Sequence, residues 1–255
     1  MTAPRTPAEL GRETQRLLDD LALVTDEPGR VTRTYLSPAH ARSIDLVGGW
    51  MRAVGMETSV DAVATLRGRR RADEEAGGRR PADAGTGAAP RRLLLGSHID
   101  TVIDAGRLDG CLGVVGAIVA LDEIARRGLT LPFDVEILAF GDEEGVRFPT
   151  ALSSSSAVTG TYRKEWLDVV GADGVTLREA LVAFGCDPDA IPAAAIDPAG
   201  VIGWLEIHIE QGPQLEHWGL PLGVVSSIAG QTRIDRKSTR LNSSHIPLSR
   251  MPSSA

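Results

Sequence analysis

The chain has 255 residues and a formal net charge of −7, because 34 Asp and Glu outnumber 27 Lys and Arg. An acidic balance argues against a nucleic-acid-binding or anionic-membrane-binding surface. Hydrophobic residues make up 42% of the chain and charged residues 24%, an ordinary globular composition for one large domain or two small ones. Two cysteines are too few for a disulfide framework, and neither a signal peptide nor a stretch of about 20 apolar residues is present. We therefore expect a cytoplasmic protein that does not enter membranes.

Two helices are predicted near the start of the chain. Between Pro7 and Val24, leucines recur at near-helical spacing with charges between them. Ser37 followed by Pro38 is a typical helix start, since Ser caps the free N–H groups and Pro fits the first helical position. This second helix is expected to run to about Val54.

An alternating segment and a polar run come next. Residues 56–69 alternate between apolar and polar side chains, as a half-buried strand does. Residues 69–91 are a run of Gly, Ala, Arg and Asp with almost nothing to bury. We predict a solvated, mobile hairpin loop over 69–91.

The rest of the chain alternates apolar strands with helices, and each strand runs into polar residues. This order is typical of an α/β fold, in which chemistry collects at the carboxyl ends of the strands. The predicted strands are RRLLLGSHIDTV at 91–102, FDVEILAFGDEEG at 133–145 and VIGWLEIHIEQGP at 201–213, and the helices are VVGAIVALDEIARRG at 114–128 and LREALVAFG at 177–185.

The tail differs from everything before it. From Asp235 onward the composition is basic and Ser-rich, without an apolar period. DRKSTRLNSSH is one reading frame of a widely used short-read sequencing adapter, and SRMPSSA resembles the downstream part of that adapter. A disordered native terminus is the alternative. We interpret residues 235–255 as a non-native, adapter-like tail, expect the native sequence to end at about Ile234, and exclude His245 as a ligand.

Metal-type side chains gather where the predicted strands end. Alternation along a strand would put His98 and Asp100 on one face, and likewise Glu206, His208 and Glu210. A borderline cation such as zinc accepts imidazole and carboxylate together. The candidate residues are His98, Asp100, Asp109, Glu143, Glu144 and His208.

Each residue also has a structural explanation. A single His near a strand end is typical of a packed side chain, and two adjacent Glu residues in a turn are typical of a solvated face. The run from Ser153 to Ser156 lacks a G-x-S-x-G elbow, so loop or helix-cap duty is favoured over a nucleophile. The same structural reading is favoured for four isolated residues: His40, His217, Cys111 and Cys186.

In chain order, however, four motifs resemble one family. They are G-S-H-I-D-T-V at 96–102, D-G-x-L-G-V at 109–114, A-F-x-D-E-E-G-x-R-F at 139–148 and H-I-E-Q-G-P at 208–213. They resemble the allantoate amidohydrolase and N-carbamoyl-L-amino acid hydrolase group of the dinuclear-metal aminoacylase and carboxypeptidase superfamily. The resemblance extends from about Thr32 to Arg233. It implies an α/β fold with a mixed, mostly parallel sheet flanked by helices, of the zinc-peptidase type.

The resemblance also implies a ligand set. His98, Asp109 and His208 would hold one divalent ion, and Asp109 would bridge to a second ion held by Glu144. Asp100 would orient His98. Two ions per subunit are expected, and zinc, manganese and cobalt all suit these ligands.

Further residues acquire roles in the same way. Glu143 would be the general base for the attacking water. Gln211 would contact an amide or ureido group, and Arg233 would pair with a substrate carboxylate. The implied reaction is hydrolysis of a small ureido compound, with allantoate as the first substrate and an N-carbamoyl amino acid as the second.

The resemblance finally implies a domain plan. Residues 1–220 would be the N-terminal part of a metal-dependent catalytic domain, and 221–234 the start of a lid and dimerisation domain. Family chains continue beyond it into a returning segment that supplies a further His ligand. We expect the full-length parent to be a homodimeric enzyme and the 255-residue chain to be truncated, and inactive or poorly folded. The alternatives are a fragment that binds one metal ion without turnover, and an aminoacylase or aminopeptidase.

Overall fold

The computed structural model describes residues 3–73 and 91–228. The chain forms two compact units, Met1–Ile209 and Glu210–Ala255. In the second unit, α6 covers Gln214–Trp218. The first unit contains helices α1 (Pro7–Ala22), α2 (Pro38–Ala53), α3 (Cys111–Arg126), α4 (Ser153–Val158) and α5 (Leu177–Phe184), and strands β1 (Glu57–Val60), β2 (Leu66–Arg70), β3 (Arg92–His98), β4 (Asp134–Phe140) and β5 (Val201–Leu205).

Both predicted N-terminal helices form, and their caps explain where they begin. The Thr6 hydroxyl accepts the backbone N–H of Glu9, and the Glu9 carboxylate accepts the backbone N–H of Thr6, which is a capping box. Ser37 caps α2 by accepting the backbone N–H of His40. The helices end at Ala22 and Ala53, one or two residues before the predicted ends.

The single strand predicted over 56–69 is a hairpin of two antiparallel strands, β1 and β2. Asp61 makes the turn, because its carboxylate accepts the backbone N–H groups of Val63 and Thr65. Strand β2 continues through Arg70, so the first two residues of the predicted 69–91 loop belong to the sheet. Residues 74–90 of that loop lie outside the described part of the chain.

The five strands form one mixed sheet in the order β1-β2-β4-β3-β5. Strands β4, β3 and β5 run parallel, whereas β1 with β2 and β2 with β4 are antiparallel. The predicted mixed α/β sheet is confirmed. It is less parallel than expected, because the polar 56–69 segment returns on itself and adds two antiparallel pairings.

The core lies between the sheet and a layer formed by α1, α2 and α3, in which α2 packs on β1 and β2, and α3 packs on β3 and β4. Apolar side chains from both layers are buried there, including Met51, Val114, Ile118 and Ile137. Each Å² of apolar surface removed from water stabilises the fold by about 25 cal/mol, so this interface is the main source of stability. No helix in the described ranges is long and apolar enough to cross a bilayer.

The last strand is shorter than predicted. Strand β5 pairs with β3 only as far as Leu205 opposite Leu95, and the chain then leaves the sheet. It passes over the start of α3, where a Cβ on Gly113 would lie 2.6 Å from the carbonyl oxygen of Ile207. The predicted strand alternation of Glu206, His208 and Glu210 is therefore wrong.

Candidate metal centre

The predicted ligands converge at the carboxyl ends of β3 and β4. His98 is the last residue of β3, and Asp109 lies just before the first turn of α3. Oδ1 of Asp109 lies 3.8 Å from Nε2 of His98 and 3.2 Å from Nε2 of His208. The two imidazole rings are 5.8 Å apart between centroids.

Two ligand groups result. In each group the candidate atoms all lie within 4.8 Å of one another: one contains His98, Asp109 and His208, and the other contains His98, Glu143 and Glu144. Both groups share His98, whereas the family resemblance implies that Asp109 is the shared ligand. One imidazole nitrogen binds one ion, so the bridging role of Asp109 remains a prediction.

Asp100 follows β3 and contacts both His98 and the backbone of Glu143 and Glu144. Nδ1 of His98 lies 3.0 Å from the carbonyl oxygen of Asp100 and 3.5 Å from its carboxylate, which leaves Nε2 facing Asp109. The Asp100 carboxylate also accepts the backbone N–H groups of Glu143 and Glu144 at 3.1–3.2 Å. Asp100 thus contacts the imidazole through both its carbonyl oxygen and its carboxylate, and its carboxylate also holds the turn formed by Asp142, Glu143 and Glu144, here called the acidic turn.

The electrostatics of the cluster favour a cation. Burial by itself lowers the pKa of His98, but hydrogen bonding and the charges of Asp100 and Glu143 raise that pKa to about 9. Burial raises the pKa of Glu144, and the neighbouring carboxylates raise it further. A proton on His98 therefore offsets part of the acidic charge in the metal-free chain. A divalent ion would do the same more fully, so the donor set fits such an ion.

Glu143 and His208 form the solvent-facing side of this centre. The Glu143 side chain is 45% exposed, and its Oε2 lies 4.0 Å from Nε2 of His98. The His208 side chain is 28% exposed. Glu143 is thus within reach of both water and the ligand group, as a general base must be.

The support of the acidic turn was missed by sequence reasoning. Ser154 Oγ accepts the backbone N–H groups of Gly141 and Asp142 at 3.3 and 3.1 Å, and Ser153 Oγ donates to the Asp142 carboxylate. Burial raises the pKa of Asp142 to about 8. The serine run was assigned to loop or cap duty, and no spacing signal shows which serine faces the turn.

The glycine of the D-G motif has a steric role. Gly110 has φ +64°, and a Cβ there would lie 2.4 Å from the His98 ring. A side chain at this position would push against the imidazole and strain the backbone. Gly110 is therefore needed for the helix that follows Asp109 to approach His98.

Two predicted substrate residues lie outside the described part of the first compact unit. Gln211 belongs to the second compact unit and has φ +53°. Arg233 lies outside the described residues. Their roles remain predictions.

Comparison with known proteins identifies the family. Residues 94–248 match the family described as Peptidase family M20/M25/M40. The chain is 41% identical to an allantoate deiminase from Arabidopsis thaliana over 221 residues, which cover 85% of this chain and 40% of the relative. It is 38% identical to an N-carbamoyl-L-amino acid amidohydrolase from Geobacillus stearothermophilus over 217 residues, which cover 85% of this chain and 50% of the relative.

A solved structure agrees with these matches. The crystal structure of a hydantoinase/carbamoylase family amidase from Burkholderia ambifaria superposes with a TM-score of 0.69 at 34% identity, covering 86% of this chain and 49% of that one. The chain spans about half the length of the curated relatives it matches. The four motifs, the fold and these similarities together show that the chain belongs to the M20/M25/M40 peptidase family and is related to its allantoate deiminases and N-carbamoyl-L-amino acid amidohydrolases.

Proposed function

We propose that this chain is part of a metal-dependent amidohydrolase that cleaves a ureido C–N bond, with allantoate as the first substrate. The observation that carries the proposal is the convergence of His98, Asp109, His208, Glu143 and Glu144 in a relative of allantoate deiminases. An N-carbamoyl-L-amino acid is the second candidate, because amidohydrolases for those compounds are 38% identical.

The position of each residue indicates its role. His98, Asp109 and His208 would hold one ion and Glu144 would contribute to a second, while Asp100 orients His98. Bound divalent ions, zinc, manganese or cobalt, would supply Lewis acidity toward the substrate carbonyl. Glu143 would take the proton from the attacking water and return it to the leaving nitrogen. The ureido group would leave as carbamate, which decomposes to ammonia and carbon dioxide.

The organisation of the active protein is part of the same proposal. The relatives are about twice as long as this chain, so we assign turnover to a longer, homodimeric, cytoplasmic parent and expect this 255-residue chain to be inactive. Sequencing the source locus across the codons for Gln231 to Lys237 tests that assignment. A reading frame that continues past Arg233 into a His-bearing segment would support it. A genomic match to residues 235–255 and their stop codon would instead favour a metal-binding fragment.

The activity test uses protein expressed from that locus. The protein is stripped with a chelator and reloaded separately with zinc, manganese and cobalt, and ammonia release is measured from allantoate and from N-carbamoyl amino acids. Acylated amino acids and dipeptides test the aminoacylase and aminopeptidase alternatives. We expect metal-dependent release from allantoate, and a loss of about 10²–10⁴-fold in kcat for Glu143→Gln, as for removal of a general base. Turnover of dipeptides but of no ureido compound would overturn the proposal.

A further inference from the structure

A buried arginine lies behind the ligand cluster, in the V-T-R-T-Y segment between α1 and α2. Arg33 is only 1% exposed. Its Nε donates to the carbonyl oxygen of Ile99 at 2.5 Å, and its Nη1 donates to those of Leu21 and Val24 at 3.1 and 2.8 Å. Its Nη2 donates to Sγ of Cys111 at 3.1 Å. One guanidinium therefore joins three separate parts of the chain.

The charge of Arg33 is balanced in an unusual way. A buried guanidinium is normally paired with a carboxylate, because an unpaired buried charge is costly. Within the described ranges, the four side-chain hydrogen bonds of Arg33 reach three backbone carbonyls and one sulfur. The carbonyl groups of Leu21 and Val24, at the end of α1 and just beyond it, carry partial negative charge that favours the cation.

Two of these contacts reach residues close in sequence to the candidate ligands. Ile99 lies between His98 and Asp100, so the Nε bond holds the backbone from which both side chains project. Cys111 begins α3, and its own N–H donates to the carbonyl oxygen of Asp109. The Nη2 bond thus holds the start of the helix that follows Asp109.

The backbone around Arg33 strengthens the connection. Its N–H donates to the hydroxyl of Thr101 at 2.9 Å, and its carbonyl oxygen accepts the N–H of Thr101 at 2.9 Å. The segment is therefore paired with the residue that follows Asp100. Hydrogen bonds from residues that lie behind a metal ligand fix the orientation of that ligand and tune its affinity for the metal.

We propose that Arg33 is a positioning residue for the metal centre, which sets the distance between His98 and Asp109 by fixing the end of β3 and the start of α3 to the end of α1. This inference rests on the proposed function. Lysine cannot replace the arginine, because a single ammonium lacks the planar fork that reaches Ile99, the end of α1 and Cys111 at once.

The test measures cobalt(II) binding by the protein expressed from the source locus, so it does not depend on turnover. Wild type, Arg33→Lys and Arg33→Met are titrated with cobalt, and the visible absorption of each fully loaded protein is recorded. Arg42→Met is the matched control, because Arg42 is an exposed arginine that also donates to a backbone carbonyl, that of Thr25 at 2.8 Å. Far-UV circular dichroism restricts the comparison to temperatures at which each variant is folded.

We expect both Arg33 variants to bind cobalt about 10–100-fold more weakly, as for loss of an outer partner of a ligand. We also expect their saturated absorption bands to shift in position or intensity, which a change in stability alone would not produce. Arg42→Met should match wild type in both respects. Wild-type affinity and an unchanged spectrum in Arg33→Lys would overturn the role of Arg33. Failure of wild type to bind cobalt would overturn the metal centre itself, and the proposed function with it.

Discussion

The two sides of the candidate metal centre are built differently. His98 is 3% exposed at the end of an interior strand, and its ring is held by Asp100 on one side and by Gly110 beneath it. His208 is exposed and lies in the segment that leaves the edge strand β5, where Nδ1 of its ring is 2.9 Å from the carbonyl oxygen of Ile209, the next residue. One side is fixed by the core before any ion binds, and the other depends on a short surface segment.

This difference predicts unequal effects when each histidine is removed. His98→Ala takes a ligand from both groups, so metal binding should fall by more than the roughly 10–100-fold expected for loss of an outer partner. His208→Ala leaves the group of His98, Glu143 and Glu144 intact and should retain weak binding of one ion. Metal stoichiometry and affinity by calorimetry measure both effects.

The control for that comparison is His217→Ala, which removes an exposed histidine of α6 that belongs to neither group. It should bind as wild type does. Equal losses in His98→Ala and His208→Ala would show that the preformed side has no advantage.

The parts of this site that were predictable are those encoded locally. The strand ending in His98 and the helix after Asp109 follow from apolar runs that stop at polar residues, and both form. The end of β5 was not predictable, because it depends on how far β3 offers a partner and on the chain crossing Gly113. The Arg33 contacts were missed for a similar reason, since burial of a charge among carbonyls has no sequence pattern.

Acid should destabilise the buried side of the candidate metal centre through His40. Its ring packs beneath Gly141 and stacks on Phe184, its Nδ1 accepts the N–H of Leu36, and burial lowers its pKa to about 4. Between pH 6.5 and 4 the unfolded chain takes up a proton that the folded chain does not. This group's contribution to stability therefore falls as pH falls, by up to about 3 kcal/mol at 1.36 kcal/mol per pKa unit.

The measurement is urea unfolding of wild type and His40→Asn at several pH values. Asp142 acts in the opposite direction, because its raised pKa favours the folded chain as pH falls from about 8 toward 4. Its contribution is common to both proteins and cancels in their difference. As the pH falls from 6.5 to 4, wild type should lose stability relative to His40→Asn. A constant difference between the two free energies of unfolding would show that His40 titrates normally.

The smallest effect is expected where the buried side meets the acidic turn. Ser154→Ala removes the acceptor for the buried N–H groups of Gly141 and Asp142, which should lower the free energy of unfolding by about 1–3 kcal/mol. Ser155→Ala is the matched control, since the half-buried Ser155 hydroxyl donates to the carbonyl of Leu152 outside the acidic turn, and it should change stability by a few tenths of a kcal/mol at most. Urea unfolding of both variants measures the difference. Equal stabilities would mean that the Ser154 hydroxyl does not stabilise the turn carrying Glu143 and Glu144, whose own N–H groups are accepted by the Asp100 carboxylate.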